Sequence, residues 1–97
     1  MLRMLKITGD SLAPDYQEGD FVLISKIPFL FSPPAPGDVV AFQQPGYGLL
    51  IKRIQLINPD ISLNVIGTHA ESIDSRVFGP VKRHHLLGKV IWHIRKS

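Results

Sequence analysis

Short apolar runs separated by turn residues dominate this sequence and limit the folds open to it. The runs are about four to eight residues long, and Gly, Pro, Asn or Asp stands between them. This spacing is typical of strands and tight turns rather than of amphipathic helices. We therefore expect an all-β fold with one or two short helical turns, one after Ser11 and one near residues 81–87. The predicted strands are residues 2–8, 21–26, 39–43, 49–57, 61–66 and 89–94.

Length and composition place the chain among single-domain globular proteins. Its 97 residues suffice for one domain covering residues 1–97, and 44% of them are hydrophobic. The excess of 11 Lys and Arg over 8 Asp and Glu is mild and spread along the chain, so we expect no nucleic-acid partner. Cysteine is absent, and no apolar run approaches the roughly 20 residues of a membrane-spanning helix. The expectation is a cytoplasmic protein.

Four histidines raise the question of a metal site. His84 and His85 are adjacent, so in a strand they would point to opposite faces, and no cluster of acidic residues accompanies them. We therefore expect no metal and no other cofactor.

Residues 26–38, KIPFLFSPPAPGD, form the one connection that is both apolar and rich in proline. Proline lacks the N–H that a central strand needs, so this segment is a loop. We expect Phe29 and Phe31 to tuck back against the core. The alternative is an exposed apolar lip that contacts a membrane surface or a protein substrate. The sequence leaves membrane contact open without favouring it.

A lysine interrupts an otherwise aliphatic strand face in GLLIKRIQLI, residues 48–57. Successive side chains of a strand point to opposite faces, so Leu50, Lys52, Ile54 and Leu56 should share one face. Desolvation on such a face disfavours the ammonium form and lowers the pKa. To act as a base near neutral pH, Lys52 needs a pKa lowered from about 10.4 to about 7–8. The alternative is that Lys52 extends its amine to a strand edge and remains a surface cation.

Ser11 and the segment SIDSR carry the other candidate polar groups. Ser11, in TGDSLAP, is followed by acidic residues and suits the N-cap of a helical turn. Its hydroxyl becomes a nucleophile only if a base lies within hydrogen-bond reach. An extended backbone would place Ser72, Asp74 and Arg76 on one side of the chain. Asp74 and Arg76 could then pair, which at a surface contributes at most about 1 kcal/mol.

Taken together and in order, several segments resemble the serine–lysine peptidases of the signal peptidase I (S26-type) family. The segments are GDSLAP, GDFVLISK, PGDVVAFQQP, LLIKRI and SIDSRVFGPV, followed by LLGKV, and they span nearly the whole chain. Each is a weak signal by itself, and their shared order makes the combination specific. Within that family, DSRVFGPV and LLGKVIWHI are most similar to the nickel-type superoxide dismutase maturation proteases.

The resemblance implies a compact all-β catalytic core of the signal-peptidase and LexA-like kind, and a role for each matching residue. Ser11 matches the nucleophile, and its backbone N–H matches the donor of the oxyanion hole. Lys52 matches the general base. Ser72 matches the serine that orients the lysine amine, and Asp74 and Arg76 match the pair that braces the floor of the active site.

The resemblance also implies a soluble serine endopeptidase that removes an N-terminal propeptide, with a nickel superoxide dismutase precursor as its substrate. That protein substrate would bind as an extended strand. Two alternatives remain: a membrane-docked signal-peptidase-like enzyme that cleaves exported preproteins, and a non-catalytic homologue that binds peptides. The chain departs from the family pattern at Gly9, at Leu12 (usually Met) and in the loop 67–76, which is one residue shorter than usual.

Overall fold

Six strands form one antiparallel sheet in the computed structural model, which describes residues 2–8, 15–67 and 73–95. Numbered along the chain, the strands lie in the sheet in the order β1-β2-β6-β3-β4-β5. The predicted all-β fold is therefore confirmed. The bounds are Leu2–Lys6 for β1, Phe21–Ser25 for β2, Val39–Gln44 for β3, Gly48–Ile57 for β4, Leu63–Ile66 for β5 and Leu86–Ile94 for β6.

Two strands begin two or more residues away from the position that the sequence pattern predicted. Strand β5 begins at Leu63 rather than at residue 61, because Ile61 has a φ of 65° and belongs to the preceding turn. A β-branched residue rarely adopts this left-handed conformation. The N–H of Ile61 closes the turn by donating to the carbonyl of Asn58 at 2.9 Å. Strand β6 begins earlier than predicted, at Leu86 rather than at residue 89, directly after a helical turn.

Three short helices accompany the sheet in the described ranges, and the sequence pattern predicted only the last of them. The turn after Ser11 lies outside these ranges, whereas the turn near residues 81–87 is present. None of the three has the length and apolarity that crossing a membrane requires. They are a 3-10 helix at Ile27–Leu30, the α-helix α1 at Ser75–Phe78 and a 3-10 helix at Arg83–His85.

Helix α1 corrects the expectation of an extended backbone for residues 75 and 76, whereas Ser72, the first residue of that expectation, lies outside the described ranges. Asp74 is extended and is the N-cap of α1, and its side chain accepts a hydrogen bond from the backbone N–H of Arg76 at 3.0 Å. Asp is a favoured N-cap residue because its carboxylate satisfies an N–H that the first helical turn leaves free. The alternation of polar residues in SIDSR therefore marks a helix start and not a strand face.

The hairpin between β3 and β4 positions the strand that carries Lys52. The N–H of Tyr47 donates to the carbonyl of Gln44 at 2.9 Å across Pro45 and Gly46. Proline fixes φ at the second turn position, and Gly46 supplies the positive φ, 84°, that the third position needs. This turn sets the register of the hairpin, in which Val40 lies opposite Lys52.

The centre of the sheet is buried on both faces, so the two faces of β3 belong to different core clusters. Val40 and Phe42 lie in the first cluster, and Ala41, between them in sequence, lies in the second. The first core cluster consists of Val40, Phe42, Ile54, Leu63, Val65, Val81 and Leu86. The second consists of Ile7, Val22, Ile24 and Ala41, with Leu5, Tyr16, Ile51, Leu87 and Val90 packed against it.

The proline-rich loop only partly follows the expectation for its aromatic residues. Phe29 packs against the first core cluster, as expected. Phe31 does not tuck back: it is 84% exposed, and Leu30 is 78% exposed. Together with Ile27, which is 47% exposed, these residues form an apolar lip on the surface. The 3-10 helix at Ile27–Leu30 turns the chain so that consecutive apolar side chains point in different directions.

Candidate functional site

Lys52 is buried in the middle of β4, with only 3% of its surface exposed. Its neighbours along the same strand face are Leu50 and Ile54, and Val40 lies opposite it on β3. No ion pair between described residues includes Lys52. The structure therefore does not support the alternative of a surface cation, and it places this amine within an apolar face, as the alternation in sequence predicted.

The alternation fails beyond Ile54, where Leu56 was expected to share the same face. The pairing register between β4 and β5 shifts between Ile54 and Leu56, so Gln55 is an extra residue. A one-residue shift moves every later side chain to the opposite face. Leu56 is consequently 40% exposed, and Ile57 packs against the first core cluster in its place.

The surroundings of Lys52 favour its neutral form. Burial is the largest influence and lowers the pKa of Lys52 below its ordinary value of 10.5. The negative charge of Asp74 acts in the opposite direction, and the positive charge of Arg76 lowers the pKa further. The net direction is downward, which is the direction that a general base near neutral pH requires.

Asp74 and Arg76 form a buried-to-surface ion pair close enough to influence that amine. Arg76 Nη2 lies 2.7 Å from Asp74 Oδ2, and Arg76 Nε donates to Asp74 Oδ1 at 3.0 Å. The Asp74 side chain is fully buried, whereas the Arg76 side chain is 47% exposed. Burial by itself would raise the pKa of Asp74, but the hydrogen bonds from Arg76 and from the backbone outweigh it and lower the pKa. Asp74 is therefore a carboxylate, and the predicted pair exists.

Asp74 also closes the base of the loop that contains Ser72. The backbone N–H of Gly67 donates to Asp74 Oδ2 at 3.0 Å, so the chain before and after residues 68–72 meets at this carboxylate. Ser72 lies outside the described residues. A residue that the sequence did not single out, Ser75, braces the same region, since its Oγ accepts a hydrogen bond from the backbone N–H of Val65 at 2.8 Å. Its only sequence signal was its position after Asp74 at a helix start.

A cleft of about 120 Å³ joins β4 to the segment that leads toward Ser11. Its lining consists of residues 6–8 on one side and residues 49–52 on the other, so Thr8 and Lys52 contribute to the same cleft. Ser11 itself lies outside the described residues. On the side of β4 away from β3, pairing with β5 starts only at Arg53, so among the described residues the cleft runs along an unpaired strand edge.

An ion pair links the far side of the Ser11 segment to the same part of β4. Arg53 Nη2 lies 3.4 Å from Asp15 Oδ2, and Arg53 follows Lys52 directly in sequence. Both side chains are partly exposed, so the pair contributes little to stability. Its consequence is geometric, because it holds residue 15 near the strand that carries Lys52. No local pattern predicted this contact, which spans 38 residues.

Residues 2–8, 15–67 and 73–95 contain no arrangement of side chains that would support a metal site. No group of three or more His, Asp or Glu side chains there is placed as metal ligands would be. His84 and His85 have ring centroids 4.3 Å apart in the 3-10 helix at Arg83–His85. The strand geometry considered for them from the sequence is therefore not the observed one.

The lowered pKa of Lys52 predicts a pH-dependent effect on stability that needs no substrate to measure. Between the lowered value and 10.5, the unfolded chain binds a proton that the folded chain has released, so the free energy of unfolding rises with pH. Below that window each unit of lowering costs the folded protein about 1.4 kcal/mol. We expect Lys52→Met to be more stable than the wild type at low pH, with a difference that shrinks as pH rises toward 10.5.

Urea unfolding of both proteins from about pH 6 to about pH 10 measures this difference. Lys82→Met is the matched control, because Lys82 is exposed and the same substitution there removes an ordinary surface cation. A difference between Lys52→Met and the wild type that stays constant over the whole range would contradict the lowered pKa.

Comparison with known families identifies the group of proteins to which this arrangement belongs. The family model described as Peptidase S24-like matches residues 1–91 of the 97. The motifs had suggested the signal peptidase I family, which shares a LexA/signal-peptidase-like superfamily with the matched family. A search of curated proteins found no match. The chain therefore belongs to the Peptidase S24-like family, which supports a serine-peptidase type of function.

Proposed function

We propose that this protein is a serine endopeptidase in which Ser11 is the nucleophile and Lys52 is its general base. The observation that carries the proposal is the buried Lys52, whose pKa is lowered and which lines a cleft together with Thr8. Ser11 follows Thr8 by three residues, and three residues of fully extended chain span at most about 11 Å. Chain connectivity therefore keeps Ser11 in the neighbourhood of this cleft.

Contacts of the residues that flank the Ser11 segment and the Ser72 segment support the same assignment. Thr8 and Asp15 flank the segment that contains Ser11, and one lines the cleft while the other pairs with Arg53. Gly67 and Asp74 meet on either side of the segment that contains Ser72. The charge of Asp74 reaches Lys52, so this second loop also begins and ends near the amine. We propose that Ser72 orients the Lys52 amine by a hydrogen bond.

The proposed reaction uses one proton carrier for both halves of peptide hydrolysis. Neutral Lys52 takes the proton of Ser11 Oγ as this oxygen attacks the scissile carbonyl carbon, and the Ser11 backbone N–H stabilises the developing oxyanion. The ammonium then gives its proton to the leaving amine as the peptide bond breaks. In the second half, neutral Lys52 takes a proton from the water that attacks the acyl-enzyme ester. The ammonium then returns this proton to Ser11 Oγ as the ester bond breaks, which restores the serine hydroxyl and the neutral lysine. The chemistry needs no metal or other cofactor.

Among the described residues, β4 has an unpaired edge at residues 48–52, and this edge supports a peptide substrate that binds in an extended conformation. Residues 48–52 offer backbone N–H and carbonyl groups beside Lys52, and an extended peptide can pair with such an edge. The resemblance of DSRVFGPV and LLGKVIWHI to nickel-type superoxide dismutase maturation proteases leads us to propose an N-terminal propeptide of such a precursor as the substrate. Nickel would then belong to the processed product and not to this protein.

Loss of either member of the proposed dyad should abolish cleavage. We expect Ser11→Ala and Lys52→Ala to lower the rate of precursor-peptide cleavage by about 10⁴-fold or more, since each removes a group that makes or breaks covalent bonds. Ser32→Ala and Lys82→Ala are the matched controls, because they make the same changes at exposed positions. Cleavage is measured by mass spectrometry of a synthetic peptide that covers the precursor N-terminus.

Equal cleavage by the wild type and both dyad variants would end the proposal. A wild type that binds the precursor stoichiometrically and leaves it intact over long incubation would instead indicate the non-catalytic, peptide-binding alternative. In both cases circular dichroism of the variants must match the wild type, so that misfolding does not imitate loss of the catalytic groups.

The two charges near Lys52 should move the pH profile of cleavage in opposite directions. Asp74 raises the pKa of Lys52, so Asp74→Asn should shift the midpoint of the rising limb of kcat/KM to lower pH. Arg76 lowers that pKa, so Arg76→Gln should shift the midpoint to higher pH. Asp74→Asn should also lower stability by about 2 kcal/mol, because it disrupts hydrogen bonds to a buried carboxylate.

Asp60→Asn is the control for the loss of one negative charge, since Asp60 is exposed in the turn after β4. This variant should leave the midpoint where it is. Shifts of the same sign in Asp74→Asn and Arg76→Gln would show that the rising limb does not report the ionisation of Lys52.

One observation favours a second candidate function, a peptidase that docks on a membrane. Leu30 and Phe31 are exposed to 78% and 84%, and Leu30 shares a groove with Lys26 and Arg83. Apolar side chains beside cations are the composition expected of a contact with an anionic lipid surface. The enzyme would then cleave preproteins at the membrane, with the apolar lip as its contact.

Vesicle co-sedimentation distinguishes the two candidates. The docking candidate predicts that the wild type pellets with vesicles containing anionic lipid and that Leu30→Ser/Phe31→Ser stays in the supernatant. Trp92→Ser is the control, because Trp92 is 64% exposed on β6, away from the lip, and should behave as the wild type does. The propeptide-processing proposal predicts that all three proteins remain in the supernatant.

A further inference from the structure

The loop that contains Ser11 is closed at its base by backbone hydrogen bonds. The N–H of Ile7 donates to the carbonyl of Asp20 at 2.7 Å, and the N–H of Gly19 donates to the carbonyl of Ile7 at 2.9 Å. Residues 8–19 therefore leave the sheet and return to it at one point. These bonds fix the two ends of the loop, at Ile7 and at residues 19–20.

Asp20, where the loop rejoins the sheet, links the loop to β6. Its carboxylate is nearly buried, and Oδ2 accepts a hydrogen bond from the backbone N–H of Gln17 at 3.0 Å. His93 Nε2 lies 2.7 Å from the same oxygen. An ionised carboxylate only accepts hydrogen bonds, so with Asp20 ionised the donor of this bond is the N–H of His93 Nε2. His93 lies near the end of β6 and is 73 residues away in sequence.

Tyr16 adds an aromatic contact to the same histidine. The rings of Tyr16 and His93 stack with centroids 4.4 Å apart and planes at 26°. Tyr16 also packs against the second core cluster. Burial raises the pKa of Tyr16, and the charges of Arg53 and Asp15 also influence it, so the ring lies near the ion pair beside Lys52. We call these three residues the Asp20–His93–Tyr16 cluster.

We propose that the Asp20–His93–Tyr16 cluster sets the position of the Ser11 loop relative to Lys52. His93 contacts the loop twice, through the Asp20 carboxylate and through the Tyr16 ring, and both contacts lie after Ser11 in sequence. This inference rests on the proposed function, because it concerns the distance between the proposed nucleophile and its base. His93 is a positioning residue and takes no part in the proton transfers. A displacement of reacting groups by about 1 Å can cost about 100-fold in rate.

Paired substitutions separate the two contacts that His93 makes. His93→Phe keeps a ring for Tyr16 to stack on and removes the donor to Asp20. His93→Gln restores a donor without the ring. Tyr16→Leu removes the stacked ring, whereas Tyr16→Phe retains it. His84→Gln is the control for replacing a histidine by glutamine, because His84 is exposed and lies outside the cluster.

Hydrogen–deuterium exchange of the intact protein tests the positioning role without any substrate. We expect amides of residues 8–19 to exchange about 10-fold faster or more in His93→Phe and in Tyr16→Leu, with β3 and β4 unchanged. His93→Gln and Tyr16→Phe should recover part of the protection. Unchanged exchange in residues 8–19, or equally faster exchange in β3 and β4, would overturn the proposal, since the cluster would then have no role or only a general structural one.

Cleavage kinetics provide the second measurement. His93→Phe and Tyr16→Leu should lower kcat by about 10-fold to 100-fold with little change in KM, because substrate pairs with β4 whereas the loop supplies the nucleophile. If the wild type is active and both variants have the same kcat as the wild type, the proposal is overturned. If the wild type cleaves nothing but exchange in residues 8–19 still responds, the proposed function fails and the positioning of the loop by this cluster stands.

Discussion

The burial of an amine on the apolar face of β4 is the constraint around which the rest of this structure is arranged. Lys52 is nearly inaccessible to solvent and forms no ion pair with a described residue, so its charged form is disfavoured. The free energy of unfolding of a domain of this size is small, so the cost of burying an amine matters. An aliphatic residue at the same position would avoid this cost. A strand that keeps a lysine there is therefore better explained by chemistry than by packing.

The charges around Lys52 are arranged so that a carboxylate lies near the amine without neutralising it. Within the described part of the chain, the Asp74 carboxylate accepts hydrogen bonds from Arg76 Nε and Nη2 and from the backbone N–H groups of Arg76 and Gly67. A carboxylate bonded directly to the amine would stabilise the ammonium form and raise the pKa of Lys52. Arg76 occupies that carboxylate instead, and its own positive charge opposes protonation of Lys52. The pair thus joins Gly67 to the start of α1 and leaves the pKa of Lys52 lowered.

Local sequence patterns predicted those parts of the fold and site that depend on nearby residues. The period-2 pattern placed Lys52 between Leu50 and Ile54, and the six apolar runs gave the six strands. The same pattern missed the extra residue at Gln55, because a register shift changes which side chains face the core without changing composition. The contact of Asp20 with His93 spans 73 residues, and no local pattern encodes it. Long-range contacts of this kind depend on the whole topology.

The curvature of the sheet is what allows β1 and β4 to line one cleft. Strands β2, β6 and β3 lie between them, and at about 4.8 Å per step a flat sheet would hold β1 and β4 about 19 Å apart. Strand β6, in the middle, shifts register once against β2 and once against β3, and such irregularities bend and twist a sheet. Gly88 lies between the two shifts, where a Cβ would approach the backbone of Ser25 to 3.0 Å. A side chain there would require the backbone of β2 at Ser25 to move away by a few tenths of an ångström. A glycine at this position therefore keeps β2 close to β6 within the curved sheet, in which residues 6–8 and residues 49–52 line one cleft.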